Sequence, residues 1–325
     1  MYKYEKTITL VTVASPINQN LALLDANEYI NADTLACIHE GHVNVIPILN
    51  PDRHGKYVPL LSGKERGKGF IKQIKWVRLT GETIFVVAST IGLQIYDAEL
   101  CDVKFFHSCK ATGGDMHYTN GICVIEHNIL CVGTNLGTIW LFQGNESNTD
   151  FEVIDRIYAH DDGPIKFLDG MGKYLVSSSE ECTYLWSLCD KQYEISRQIY
   201  VDGLFSTPTA LKVASYLTFI GYESGELCVF DILNPDFHLR TVAHKLEITA
   251  IDFSVLKHFT LTASTDCYIK IWTFNEFSSE GTCIFSVFNE SGPLCGAAFL
   301  NHNCTEFCAV TANDISVNVY IKEEK

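Results

Sequence analysis

Six times along this chain a short β-rich run, a small or polar turn and an alternating run follow one another, and each time the alternating run closes on an aromatic residue. The segments are residues 84–97, 129–142, 174–187, 217–231, 259–273 and 307–320, and their closing aromatics are Tyr96, Phe142, Trp186, Phe230, Trp272 and Tyr320. Successive aromatics stand 46, 44, 44, 42 and 48 residues apart. A run such as Tyr268-Ile269-Lys270-Ile271-Trp272 alternates with period two, so each segment reads as two strands joined by a tight turn. A further β-rich run precedes each pair, as in Ile248-Thr249-Ala250-Ile251-Asp252-Phe253, and the residues after each aromatic leave room for a fourth strand. No long helical periodicity competes with this pattern.

Four strands per ~40–45 residues is the pattern of a β-propeller blade. Upstream, residues 20–25, 33–39 and 42–49 supply strands for one more blade, which makes seven. The expectation is an all-β, seven-bladed propeller forming one domain over residues 1–325. Its blades fall roughly at 15–62, 70–108, 116–158, 160–203, 207–242, 244–288, and 293–320 plus 5–14. The 325 residues exceed the ~250–300 at which single cores stop growing, but a repeat array escapes that limit because each unit brings its own core. Five residues follow Tyr320, too few for an outer strand, whereas the run from Thr7 to Val13 is rich in β-branched residues. Pairing the N-terminal strand with the last blade would cover two open edges.

One repeat carries more detail. Ala243-His244, then Ser264, Asp266 and Trp272, resemble in type and offset the WD-repeat propeller family. The resemblance implies a buried hydrogen-bonded set in which the Asp266 turn orients His244, His244 bonds Ser264, and Ser264 accepts the Trp272 indole N–H. A second repeat keeps His160, Ser178 and Trp186, with Glu180 in place of the aspartate. Residues 73–76, 92–96, 131–134, 243–272 and 294–297 are similar in order and spacing to a small, stand-alone member of that family. What this similarity implies is a binding platform with no catalytic residues to transfer.

The formal net charge is −15, which disfavours binding to a phosphate backbone, so no nucleic-acid partner is expected. The charge is uneven: the window from Arg53 to Arg78 holds eight basic residues and one acid. No apolar run approaches the ~20 residues of a membrane span, and no signal-peptide core follows the N-terminus, so a cytoplasmic protein without membrane insertion is expected. The thirteen cysteines include no Cys-x-x-Cys pair, and Cys123, Cys131, Cys228 and Cys308 read as small buried hydrophobes of a reducing compartment.

Chemistry has few footholds. The glycine- and lysine-rich run 63–69 lacks the spacing and the Ser/Thr of a phosphate-binding loop and precedes a strand, so no nucleotide cofactor is expected. His302, Cys304 and Cys308, and the pair His39 and His42, lack the spacing of zinc sites, so no metal is expected either. His244, Ser264 and Asp266 contain the residue types of a nucleophilic triad but have a complete structural role. No enzymatic activity is expected.

That leaves the surface. In a propeller blade the loop before the first strand and the turn between the second and third lie on one face. Asp161 and Asp162 fall in the former, Glu180 and Glu181 in the latter, and Glu223 in the next repeat's turn. Lys64, Arg66 and Lys68 enter the second blade from the same side. The leading expectation is a protein-interaction scaffold that docks other proteins, including a basic peptide on the acidic loops. The alternatives are a substrate-receptor or adaptor subunit of a ubiquitin-ligase or trafficking assembly, and a propeller enzyme with a metal site in its channel. Trp272 is followed by Thr273-Phe274-Asn275 and not by the Asp-x-Arg expected of some ligase adaptors.

Overall fold

The computed structural model describes all of the chain except residues 25–31, 52–54, 63, 64, 67, 110–114, 191, 236, 237, 275–279, 324 and 325, and also omits the side chains of Ser62, Glu65 and Arg66. Two compact units divide it: Met1–His39, Val43–Val58 and Thr209–Lys325 make the first, Glu40–His42 and Pro59–Pro208 the second. Among the described residues there is no α-helix.

The first strand is β1 (Tyr2–Thr9). One sheet follows from β2 (Ala22–Leu24), β3 (Thr34–His39), β4 (His42–Pro47) and β5 (Lys56–Pro59). A two-stranded ladder, β6 (Leu61–Ser62) and β7 (Glu65–Arg66), leads into the second unit. There β8 (Ile71–Leu79), β9 (Glu82–Ser89), β10 (Gly92–Asp97) and β11 (Val103–Ser108) form one sheet. Next come β12 (Tyr118–Ile125), β13 (Ile129–Thr134), β14 (Thr138–Gly144) and β15 (Phe151–Tyr158). The unit ends with β16 (Phe167–Met171), β17 (Tyr174–Ser178), β18 (Thr183–Cys189) and β19 (Gln192–Ile199). Back in the first unit, β20 (Pro208–Ala214), β21 (Leu217–Tyr222), β22 (Glu226–Asp231) and β23 (His238–Val242) form a sheet. So do β24 (Ile248–Ser254), β25 (Phe259–Ser264), β26 (Tyr268–Thr273) and β27 (Thr282–Phe288). The last sheet has β28 (Leu294–Phe299), β29 (Glu306–Thr311) and β30 (Ser316–Lys322), with β1 on its outer edge.

Seven four-stranded sheets, six running in sequence order and the last completed by β1, are the architecture of a seven-bladed β-propeller. The closing aromatics stand on the third strand of six of them, and all six are buried. They pack against neighbouring sheets: Phe142 and Trp140 join Val86, Ile95 and Tyr118 in one core of the second unit. Tyr320 and Phe307 join Leu261 and Ile271 in a core of the first.

The N-terminal strand pairs antiparallel with β30, from Tyr2↔Lys322 to Thr9↔Ser316. It lies earlier than the 5–14 expected from β-branched content. A bulge between Tyr4 and Lys6 shifts the register, so Tyr2 and Ile8, six residues apart, fall on opposite faces: Tyr2 joins the core with β24–β26 and Ile8 the core with β3 and β4. Tyr2 packs on Phe285 and Phe307 at ring distances of 5.0 and 5.2 Å, and its hydroxyl donates to the Cys304 carbonyl. Residues 10–14 leave the ladder and bond the β29–β30 turn, with Leu10 N–H donating to Ile315 O and Ala14 N–H to Asp314 O, both at 2.8 Å. The connector then runs across first strands of the same unit. Gln19 N–H donates to Thr249 O (2.8 Å), Asn20 N–H to Cys295 O (2.9 Å), and Asn18 Nδ2 to Thr209 O (3.0 Å).

Candidate interaction surface

The polar set within the β24–β27 sheet fixes how its loops are held. Thr260, Thr262 and Ser264 lie on one face of β25, and Trp272 stands opposite Thr260. The indole reaches one pair along that face, and Trp272 Nε1–H donates to Thr262 over 2.9 Å. His244 Nε2 lies 2.8 Å from the same oxygen. The hub is therefore Thr262 and not Ser264, which sits one pair farther from the indole. Ser264 instead closes the turn: its hydroxyl donates to Leu246 O (3.1 Å) and accepts Asp266 N–H (3.0 Å). Asp266 receives the Lys245 and Tyr268 N–H groups, each at 2.9 Å, and faces His244 Nδ1 at 3.1 Å. Burial pushes the Asp266 carboxyl up, but these donors together outweigh it and hold the group far below the usual carboxylate range. Burial pushes His244 down despite Asp266.

The β16–β19 sheet repeats the arrangement with different members. Ser177, on the Trp186 face of β17, takes the place expected for Ser178; Trp186 Nε1–H donates to it over 2.9 Å and His160 Nε2 lies 2.8 Å away. Ser178, one residue on, faces the other side and bonds the Thr183 hydroxyl at 2.8 Å. The turn is one residue shorter than its counterpart, with six residues between paired Ser177 and Tyr184 against seven between Thr262 and Lys270. Glu180 consequently does not reach the histidine. It turns outward and pairs with Lys166 at 2.6 Å. Asp162, from the loop before β16, faces His160 Nδ1 at 3.6 Å instead, and Cys182 Sγ lies 3.3 Å from the same nitrogen. Ser179 Oγ donates to Asp162 and thereby ties the β17–β18 turn to that loop.

Four predicted acids thus gather at one end of this sheet. Asp161 and Glu181 are exposed and make no ion pair among the described residues, whereas Asp162 and Glu180 are partly engaged as above. Pairing of Thr183 with Ile199 brings the exit of β19 to the same end, where Tyr200 is 70% and Phe205 99% exposed. The neighbouring sheet adds Tyr158 (78%) at the end of β15 and Leu136 (59%) in the β13–β14 turn. That turn is bonded to the acidic loop: Ala159 and His160 N–H both donate to Gly137 O at 3.0 Å, and Ile165 N–H donates to Thr134 O at 3.0 Å. The aromatic anchors have no periodic signature in the sequence. Position alone marks them out: Tyr158 ends β15, and Tyr200 and Phe205 follow β19.

Glu223 is exposed in the β21–β22 turn of the first unit. Lys68 is exposed before β8, while Lys64 and the side chain of Arg66 lie outside the described residues. Lys75, another member of the basic window, is held internally by Asp169 at 3.0 Å. In the first unit a cleft of about 210 Å³ is lined by Leu23, Lys212, Asp252, Phe299 and His302 among others. Its carboxylate, Asp252, pairs with Lys212 at 3.2 Å and accepts Phe299 N–H at 2.9 Å. Among the described residues no helix is long and apolar enough to cross a membrane.

Comparison with known proteins follows the same lines. The family model WDR54 matches residues 1–321. WD repeat-containing protein 54 of Mus musculus is 21% identical over 97% of this chain and 98% of its own length. The human protein of that name is 20% identical over the same shares. WD repeat domain 54 of Rattus norvegicus is 22% identical. Among solved structures, a chain in the crystal structure of the mitotic checkpoint complex superposes with a TM-score of 0.77 at 12% identity, covering 99% of this chain and 92% of that one.

Proposed function

The chain belongs to the WDR54 family of WD-repeat propellers, and on that premise we propose that it is a non-catalytic protein-interaction scaffold whose working surface is the acidic and aromatic end of the β16–β19 sheet. The observation that carries this reading is the coincidence of unpaired Asp161 and Glu181 with the exposed rings of Tyr158, Tyr200 and Phe205. Carboxylates steer a basic segment and orient it; aromatic side chains supply the apolar anchoring that charge alone does not. Large exposed apolar side chains beside unpaired charge are the surface features of a docking site. The loops are held on a hydrogen-bonded frame, so little ordering is needed on binding.

A paired affinity purification tests this reading, with the wild-type chain beside an Asp161→Lys/Glu181→Lys/Tyr200→Ala/Phe205→Ala variant whose melting is first matched to wild type. The proposal expects a defined set of partners to be lost, and those partners to dissociate from wild type as salt is raised. Identical partner sets at equal abundance would eliminate this surface.

A further inference from the structure

Behind that surface, His160, Asp162 and Cys182 present one ligand atom each, all within 4.8 Å of one another. Cys182 Sγ is 3.3 Å from His160 Nδ1, Asp162 Oδ1 is 3.6 Å from that nitrogen, and Sγ is 3.9 Å from both carboxylate oxygens. A tetrahedral zinc with bonds of about 2.3 Å to sulfur and about 2.1 Å to nitrogen and oxygen sets ligand–ligand edges of about 3.4–3.6 Å. The three measured edges lie close to those of one face of such a tetrahedron.

The chemistry of the set points the same way. A catalytic thiol would use the histidine as base and need its orienting acid on the far ring nitrogen. Here the far nitrogen, Nε2, is taken by Ser177, and the carboxylate stands on the thiol's own side. There its oxygens and Sγ are placed to share a cation lying between them. A divalent ion with one thiolate, one carboxylate and a neutral imidazole gives a net charge of zero, which suits a place where His160 is buried and Cys182 half-buried. The outer contacts are those a metal ligand needs. With the ring proton on Nε2, the Ser177 oxygen is its partner and the Nδ1 lone pair is aimed at Asp162 and Cys182, while Ser179 orients the Asp162 carboxylate.

We infer that His160, Asp162 and Cys182 form a zinc(II) site with one open coordination position. On binding, the Cys182 thiol gives its proton to solvent, and water fills the fourth position. The site goes beyond the docking surface, because metal binding is read without any partner present, so either idea can fail alone.

The test uses the full chain, reduced and stripped with chelator. Zinc is titrated against a chromophoric competitor, and cobalt(II) is added separately to report thiolate ligation by its near-ultraviolet charge-transfer band. The inference expects one equivalent of zinc and a cobalt–thiolate band in wild type. It expects the band to vanish in Cys182→Ser, zinc affinity to drop at least about tenfold in Asp162→Asn and Ser179→Ala, and both to persist in a Cys101→Ser/Cys189→Ser/Cys283→Ser variant that removes the three exposed thiols. As a readout free of mutation, zinc should slow alkylation of Cys182 at least about tenfold while leaving those three thiols unchanged. Absence of the band in wild type, its survival in Cys182→Ser, or unprotected Cys182 with zinc present would each overturn the site.

Discussion

Trp272 and His244 meet on a single oxygen, the Thr262 hydroxyl, at 2.9 and 2.8 Å. The three groups form a directed chain. The indole can only donate, the hydroxyl accepts from it and donates onward to Nε2, and Nδ1–H donates to Asp266. Replacing Thr262 with valine keeps the shape and strands two buried polar groups. The expected cost in urea melts is about 2–3 kcal/mol. Thr262→Ser should be nearly silent because the oxygen remains. Ser264→Ala, which loses one turn hydrogen bond, should cost about 1 kcal/mol. If Ser264→Ala proved the more damaging, the hub would be misassigned.

Closure of the last sheet rests on β1. Deleting residues 1–9 uncovers the whole of β30 and removes Ile8 and Tyr2 from buried sites. The truncated chain should aggregate or lose its cooperative melt, because an uncovered edge is a template for pairing with other chains. Tyr2→Ala alone leaves the ladder and should cost about 3 kcal/mol through the cavity beside Phe285 and Phe307. Size-exclusion chromatography with thermal melting checks both.

Gly137 has φ +71, and a Cβ there would lie 1.8 Å from the His160 carbonyl oxygen. Gly137→Ala cannot keep the β13–β14 turn against the acidic loop. It should destabilise the chain by about 2 kcal/mol or more and weaken docking even though it removes no charged or aromatic group. Calorimetry and the purification described above read the two effects separately.

Three histidines set the response to pH. Burial is the main cause holding His107, His160 and His244 below their ordinary values. Arg156 pushes His107 the same way, and Lys270 does so at His244, while Asp162 and Asp266 oppose the shift without cancelling it. Above about pH 6.5 native and unfolded histidines are both neutral; below it the unfolded chain takes up protons that the native one refuses. Stability is therefore complete above that point and falls as pH drops toward 5, by at most about 1.4 kcal/mol per pH unit for each histidine. Asp266 acts in a lower window, because its depressed carboxyl contributes above the unfolded value near about 3.9 and loses that contribution only as pH falls through its native one. Melting temperatures at constant ionic strength from pH 8 to 5 should decline below neutrality; a flat or rising profile contradicts the histidine assignments.

The strand pairs and the number of sheets were legible because period-two alternation and a closing aromatic recur at nearly constant spacing. All six aromatics are buried, and Phe142, Trp186, Trp272 and Tyr320 fill contacts between two sheets, so packing keeps them visible in the sequence. The acceptor hydroxyls were not legible, because they depend on register. The bonded hydroxyl lies ten residues before Trp272 and, across a turn one residue shorter, nine before Trp186, so an equal offset of eight pointed to Ser264 and Ser178 instead of Thr262 and Ser177. The bulge between Tyr4 and Lys6 was not legible either: no residue type from Tyr2 to Ile8 marks it, yet it decides which face each buried side chain takes. The ligand-like trio was hidden for a different reason. Asp162 and Cys182 are twenty residues apart and share no motif, and only the loop bonded through Ser179 brings them together.

The most direct test of the docking surface is hydrogen exchange on the chain alone and within the complex purified from cells. The account predicts slowed exchange at amides 158–166, 179–183 and 199–207 in the complex. Unchanged exchange in those three segments, with protection confined to loops such as 215–217 and 255–258, would contradict it.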